Sequence, residues 1–435
     1  MPKVTSYCPQ QVQWNLDHWN RDYKSDRKNT AEILNNGIIE PVVKPKDRPD
    51  FPRQDAGIFR EDGSYVMGSN MWEPHMEMTS QLPENPPFAD TALVWGGELI
   101  NHYGHFLSQS TARIYYYLQN ADKFDGIIFV WLWKFPIPDY MLDFLELCGI
   151  PIEKIKITNQ VLKVRKLAVP SLSSLPNTDF TEDFLVPFKA AAANVTPGAH
   201  KKIYMSRKKL TKKKAETLGE DDVEKIFNKN GFITYCPETL PMREQIAITI
   251  GAEEIAGING SALHNIVFGA GLKPKKIIML NRTEAFNIQF MLNQAAGAEC
   301  AVIKAYHNFL AVSHPNGPFI VGMTEYFRKF LKDNNMRDLG MKFRPQKYAR
   351  KFLKKYMDMY SHAPWYQDLR DQKNNHIVEA ADFINLIQLA NFPRTRKFLW
   401  KIYSRIAPSR AARASAKYQY DKLERIYLGT QSQTT

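Results

Sequence analysis

The chain has 435 residues, of which 44% are hydrophobic and 12% aromatic, a composition that excludes a disordered chain and suits two α/β domains plus an extension. Its formal charge is +13, and the whole excess lies at one end: from Glu325 onward there are 23 Lys and Arg against 10 Asp and Glu, while the rest is balanced. No stretch approaches the roughly 18 consecutive apolar residues of a membrane span, and the opening MPKVTSYCPQQVQW has no apolar core of signal-peptide length, which predicts a cytoplasmic protein.

In chain order, residues 1–50 are polar and interrupted by a Pro-Lys run, and read as a loosely packed lead-in. A first domain is expected over 51–195, with strands over 91–95, 126–133 and 163–169 and helices over 105–119 and 139–147, the second helix closed by Gly149 and Pro151. Residues 170–176 read as a Ser/Pro loop and 180–199 as a link between halves. A second domain is expected over 196–324, with strands over 203–205, 232–235, 255–256, 277–280 and 301–303. Helices over 221–230, 242–251 and 285–296 separate them, the first and last closed by Gly231 and Gly297. Strands alternating with helices of this length predict a parallel, doubly wound sheet, whose ligands bind at the carboxyl ends of the strands. Residues 325–435 read as a basic helical extension. Within it, FLWKIYSRIAPSRAARASA (398–416) mixes aromatic and basic residues as a helix on an anionic membrane would, interrupted at Pro408.

Four stretches carry the chemistry. GAEEIAGINGSALHNIVFGA (251–270) reads as a strand, a small-residue turn and an apolar helix, the geometry that aims free backbone N–H groups at an anion such as a nucleotide diphosphate. Gly257 and Gly260 permit positive φ and close backbone approach, and Ser261 can cap the helix or donate to a phosphate oxygen. KKIYMSRKKL (201–210) places Ser206 and Arg207 at a strand end, where an arginine can hold a diphosphate and stabilise a departing nucleotide. GGELINHYGHFLSQSTAR (96–113) gathers Glu98, His102 and His105, any of which could take a proton from a sugar hydroxyl. PETLPMREQIAI (237–248) sets Gln245 on the first turns of a helix facing the same cleft, and Glu284 follows a further strand. The four cysteines, Cys8, Cys148, Cys236 and Cys300, form no CxxC pair and read as reduced thiols, and the chain has no Asp-x-Asp clamp for a donor-bound metal. Each stretch also has an ordinary structural role: a glycine turn for packing, a solvated basic loop, a capping histidine, an amphipathic helix.

In order and spacing these stretches resemble glycosyltransferase family 61, also called DUF563, in its bacterial capsular and surface polysaccharide branch; the resemblance runs over roughly 90–285. It implies a GT-B-like α/β architecture of two Rossmann-like domains, and an inverting, metal-independent hexosyl- or pentosyltransferase that needs no cofactor beyond its nucleotide-sugar substrate. His105 falls on the family's histidine, Arg207 on its Ser-Arg motif, Gln245 on its helix Gln, and Gly257, Gly260, Leu263 and Asn265 on its glycine-turn motif. The sequence departs from the family at Asn259, where a histidine is common, and at Gln109, where an acid is common.

The reading that follows is a transferase moving a sugar from a nucleotide-sugar donor to a polysaccharide or lipid-linked glycan. His105 or Glu98 would be the base; Arg207, Gln245, Gly257, Asn259, Gly260, Ser261, His264, Asn265 and Glu284 would hold the donor. The two halves would close over it, and the basic end would rest on an anionic membrane, the inner face of the plasma membrane. Two alternatives stand beside it: a pyruvyl or phosphoryl transferase acting on polysaccharide on the same fold, and an impaired relative serving as a membrane- or nucleic-acid-binding scaffold. Nucleic acid is the less expected partner, since no recognition module is present.

Overall fold

The computed structural model describes residues 1–48, 55–210, 216–283, 288–308 and 317–352, together with 355, 400, 401, 405 and 417. It is a mixed α/β protein of two compact units: one holds the described residues of Met1–Lys209, Phe227–Leu280 and Phe286–Ile303, the other those of Leu210–Ile226, Asn281–Ala285 and Lys304–Thr435.

Among the described residues the larger unit contains two large sheets and a short antiparallel pair, Ser174–Leu175 with Asp179–Phe180. Among the described residues the first sheet has the strand order Val4–Tyr7, Glu299–Lys304, Lys276–Asn281, Glu254–Ile258, Lys202–Met205, Ile233–Tyr235. Lys202–Met205 pairs parallel with Ile233–Tyr235 on one side and with Glu254–Ile258 on the other. The chain winds outward from the central strand in one direction and then the other, so the switch point lies between Met205 and Gly257, which are register partners. Every residue of 255–258 and 277–280 is buried, as strands covered on both faces must be.

The second sheet has the order Asp55–Phe59, Ala31–Pro45, Leu162–Pro170, Phe88–Glu98, Gly126–Val130, Ile155–Thr158, with Met78–Thr79 also paired to Ala31–Pro45. Phe88–Glu98 lies parallel between Gly126–Val130 and Leu162–Pro170, a second switch point. The strands Ala31–Pro45 and Asp55–Phe59 add antiparallel pairing at the other edge.

Three expectations change here. The first 48 residues are not a loose lead-in: Val4–Tyr7 closes one sheet edge, Gln10–Trp19 is a helix, and Ala31–Pro45 is a long strand registered against Leu162–Pro170. The segment read as a link holds the Val186–Ala193 helix, whose Phe188 is fully buried. The helix expected over 105–119 is broken into an α turn Tyr103–His105, a π turn Phe106–Ser110 and a helix Ile114–Gln119. The cause is local: Ser108 Oγ donates to Gly104 O at 2.8 Å and Thr111 Oγ1 to Leu107 O at 2.9 Å, hydroxyl bonds that bend a helix.

One apolar core joins the two sheets of this unit. Val94 and Phe129 from one sheet and Ile203, Ile255 and Met279 from the other belong to the same buried cluster. Phe144 of the Asp139–Leu147 helix, Phe188, and Phe268 of the Ser261–Gly269 helix form its centre, with ring centroids 5.5 to 6.0 Å apart. The Met242–Gly251 helix ends at Lys275, whose Nζ donates to Ile250 O at 3.0 Å and Ala252 O at 2.6 Å and so satisfies carbonyls the helix leaves open.

In the smaller unit, Thr217–Leu218 pairs parallel with Phe319–Ile320, and Thr324 caps the Glu325–Asp333 helix by accepting from Phe327 N at 3.0 Å. Most of the basic stretch 398–416, like Glu284, lies outside the described residues. Among those described, no helix is long and apolar enough to cross a membrane.

Truncating Phe188 to Ala removes the ring at the centre of the shared core. A loss of about 3–5 kcal/mol is expected, read from urea unfolding; a loss below about 1 kcal/mol would show that the cluster does not carry the unit.

Candidate active site

Glu98 is the last residue of its strand and sits at the switch point of its sheet, in register with Val130. Its backbone is fixed by Ser110, whose hydroxyl donates to Glu98 O at 2.8 Å and accepts from Ile100 N at 3.0 Å. The side chain is 7% exposed, and its Oε2 has no hydrogen-bond partner among the described residues. Burial lifts this carboxyl from 4.5 to about 8; nearby Asp55 adds to the rise and a hydrogen bond from the Trp72 side chain opposes it.

Asp55 explains how the wall beside Glu98 is built. Its carboxylate accepts from Ala56 N, Met71 N and Trp72 N at 2.9, 3.1 and 2.9 Å. Burial nevertheless lifts it to about 6, against those bonds and the charge of Arg113. Fully buried Arg113 donates to Gly68 O, Asn70 O and Pro170 O, so it pins the same 68–72 loop from the other side. Burial brings its guanidinium down to about 10, which leaves it charged at neutral pH. The loop then presents Trp72 edge-on to His105, with centroids 5.4 Å apart.

The histidines lie just beyond. His102 Nδ1 accepts from His105 N at 3.3 Å, and the two rings are 4.7 Å apart. The His105 ring bonds through Nδ1 to Gln109 Oε1, an amide oxygen.

The Ser261–Gly269 segment meets this turn directly. A Cβ on Gly104 would lie 2.9 Å from His264 Cε1 and Nδ1 and from Ser261 Oγ, so glycine is what allows the two motifs to touch. Burial takes His264 down to about 3, with His102 and His105 pushing the same way; it is neutral at pH 7. Tyr103 extends the contact: its hydroxyl bonds Gln245 Oε1 at 3.0 Å and also Asn265 Oδ1. Asn265 Nδ2 donates to the same Gln245 oxygen at 3.1 Å, and Gln245 Nε2 donates to Leu240 O at 2.9 Å. Gln245 and Asn265 are therefore held by protein partners, tying the turn to two elements of the other sheet's side.

Two details of the glycine turn differ from expectation. Neither Gly257 nor Gly260 has the positive φ of a left-handed turn; Gly260 is extended at φ 168. Gly257 serves close approach instead, since a Cβ there would meet Leu263 Cδ2 at 3.0 Å and Met205 O at 3.1 Å. Ser261 does not cap: Gly260 occupies the cap position of a 3₁₀ segment with no side-chain cap bond. Buried Asn259 and half-buried Arg207 each stand two residues past the Met205–Gly257 register pair, just beyond the switch point.

Residues 103–279 match the family model Glycosyltransferase 61. The match covers less than half of the chain and includes both the Tyr103–Ser110 turns and the Ser261–Gly269 segment, while Glu98 and Asp55 precede it. It supports glycosyltransferase activity in general, with a sugar donor and a glycan acceptor. No curated protein matches the chain. Sequence reasoning alone does not single out Asp55, Trp72, Tyr103 or Arg113. Arg113 carries a usable signal, a charge inside the apolar run 112–118; the other three carry none.

Two outcomes follow. Because the folded state binds more protons than the unfolded chain between pH 4.5 and about 8 at Glu98, stability contributed by this proton is lost as pH rises through that window. Glu98→Gln should therefore raise the melting temperature relative to the parent more at pH 8.5 than at pH 4.5, values set about half a unit beyond and at the window's ends; an equal effect at both would show no raised titration. Tyr103→Phe leaves the buried Asn265 Oδ1 short of a donor, while Gln245 Oε1 keeps Asn265 Nδ2, and should cost about 1–3 kcal/mol in urea unfolding.

Proposed function

We propose that the chain is an inverting, metal-independent glycosyltransferase of GT-B type that transfers a hexosyl or pentosyl group from a nucleotide-sugar to a polysaccharide or lipid-linked glycan. The observation that carries this reading is the buried Glu98 carboxyl at a strand end, its Oε2 without a hydrogen-bond partner among the described residues, with Trp72 bonded to that carboxyl and packed edge-on to His105. Removing a proton from a sugar hydroxyl requires a general base, and a histidine at this sheet end is of the type that serves. The match to Glycosyltransferase 61 supplies the reaction class.

His105 is the proposed base. Its Nδ1 bonds an amide oxygen, which accepts and so favours the Nδ1–H tautomer, the form in which Nε2 is the basic nitrogen. Glu98 is protonated over much of the physiological range, so it can donate a hydrogen bond rather than take the hydroxyl's proton. The donor diphosphate is proposed to lie at the other switch point, against Asn259, Gly260 and Ser261, with Arg207 neutralising the leaving group. Gln245, Gly257 and Asn265 act from behind by fixing that wall, while His264 faces the turn as a neutral ring. Attack in line with the departing diphosphate inverts the anomeric carbon, and the sequence's lack of Asp-x-Asp favours transfer without a metal clamp. The basic residues from Glu325 onward suit a cytoplasmic enzyme held at an anionic membrane near a lipid-linked acceptor.

A thermal-shift screen against UDP, GDP, CMP and their sugar conjugates tests the reading, because a ligand that binds only the folded chain raises its melting temperature. One nucleotide is expected to raise it, with the rise lost in Arg207→Ala. A flat response to every nucleotide would remove the donor site.

A further inference from the structure

The strand Gly126–Val130, register partner of the strand that ends at Glu98, leaves the sheet through Trp-Leu-Trp-Lys-Phe-Pro-Ile-Pro. The first two residues turn inward: Trp131 joins the large core and Leu132 packs against the cluster that contains Trp95. Trp133 and Phe135 do not. They are 45% and 44% exposed, yet their ring centroids are 5.6 Å apart at a 37° interplanar angle. Trp131 holds the pair in place, its Nε1 donating to Phe135 O at 2.8 Å and its ring lying edge-on to Phe135 at 5.8 Å. Pro136 and Pro138 restrict the segment that follows.

Single exposed apolar side chains are ordinary, but here two aromatic rings are exposed side by side, a surface suited to a flat apolar ligand face. The exposed segment is short and bounded by charge: Lys134 lies between the rings, and after Pro136, Ile137 and Pro138 the charged Asp139 opens the next helix. A patch of two rings is the size of one or two pyranose faces, whose axial C–H groups sit well on the negative face of an aromatic ring. Its place fixes which sugar: the segment starts from Val130, the register partner of Glu98, at the same end of the sheet.

We infer that Trp133 and Phe135 form a stacking subsite for the acceptor glycan, holding sugar units next to the one whose hydroxyl reacts. This rests on the transferase reading for its role in the reaction, but the binding itself can be tested without it. The nucleotide site lies on the other sheet, so loss of acceptor stacking leaves it intact.

The test uses the full chain on an array of neutral and acidic oligosaccharides, followed by titration of each binder by tryptophan fluorescence. At least one oligosaccharide of three or more units should bind, and Trp133→Ala with Phe135→Ala should weaken it about tenfold or more, the loss of about 1.4 kcal/mol or more. Trp133→Tyr should restore most of the affinity, and the nucleotide thermal shift should be unchanged in all variants. Unaltered glycan binding by the double variant overturns the inference, as does an array with no binder. Loss in the double variant of binding to neutral phosphatidylcholine vesicles, with glycan binding unaltered, would reassign the rings to a lipid surface. A glycan response without any nucleotide response would keep the subsite and refute the transferase reading.

Discussion

The site depends on the space that Gly104 leaves empty. His264 and Ser261 occupy the volume a side chain would need, and that approach brings the end of one sheet's connection against the end of the other's. The Tyr103 hydroxyl then bonds Gln245 and Asn265, so three consecutive residues divide the work. Tyr103 ties the two motifs together, Gly104 admits the approach, and His105 faces outward beside Trp72. Remove the space and the bonds on either side lose their geometry together.

Around that contact the protein holds an arrangement that costs free energy. Two carboxyls, Asp55 and Glu98, are buried near each other, and both are lifted above their ordinary range. Three backbone N–H groups and Arg113 compensate Asp55. Glu98 receives less, and it is the one at the strand end. Unequal compensation is how two like groups acquire different protonation states at one pH. Arg113 is satisfied mainly by carbonyls, so it serves both as a brace for the 68–72 loop and as a source of positive potential.

Much of the alternating half is legible in the sequence. The helix Asp139–Leu147 ends ahead of Gly149 and Pro151 as expected, and Met242–Gly251 has its expected bounds. The first 48 residues are not legible. Ala31–Pro45 contains Asn-Asn-Gly and two prolines and has a register break between Glu40 and Val43, and its partner Leu162–Pro170 is distant in sequence. The broken helix after Tyr103 hides for another reason, because serine and threonine bonding back to carbonyls leaves hydrophobic spacing almost unchanged. At the site, single residues are legible and partnerships are not. Glu98 and His105 stand out by type, but nothing in the chain order links Asp55 to Glu98 or Tyr103 to Asn265.

The shared phenylalanine core has a mechanical consequence. Phe144, Phe188 and Phe268 touch across the space between the sheets of the larger unit, and the cluster they centre includes strands from both. A hinge that swung those sheets apart would open this core to water at every turnover. The two sheets are therefore held as one frame, and the 68–72 loop and the 131–138 connection are fastened to it by Arg113 and Trp131.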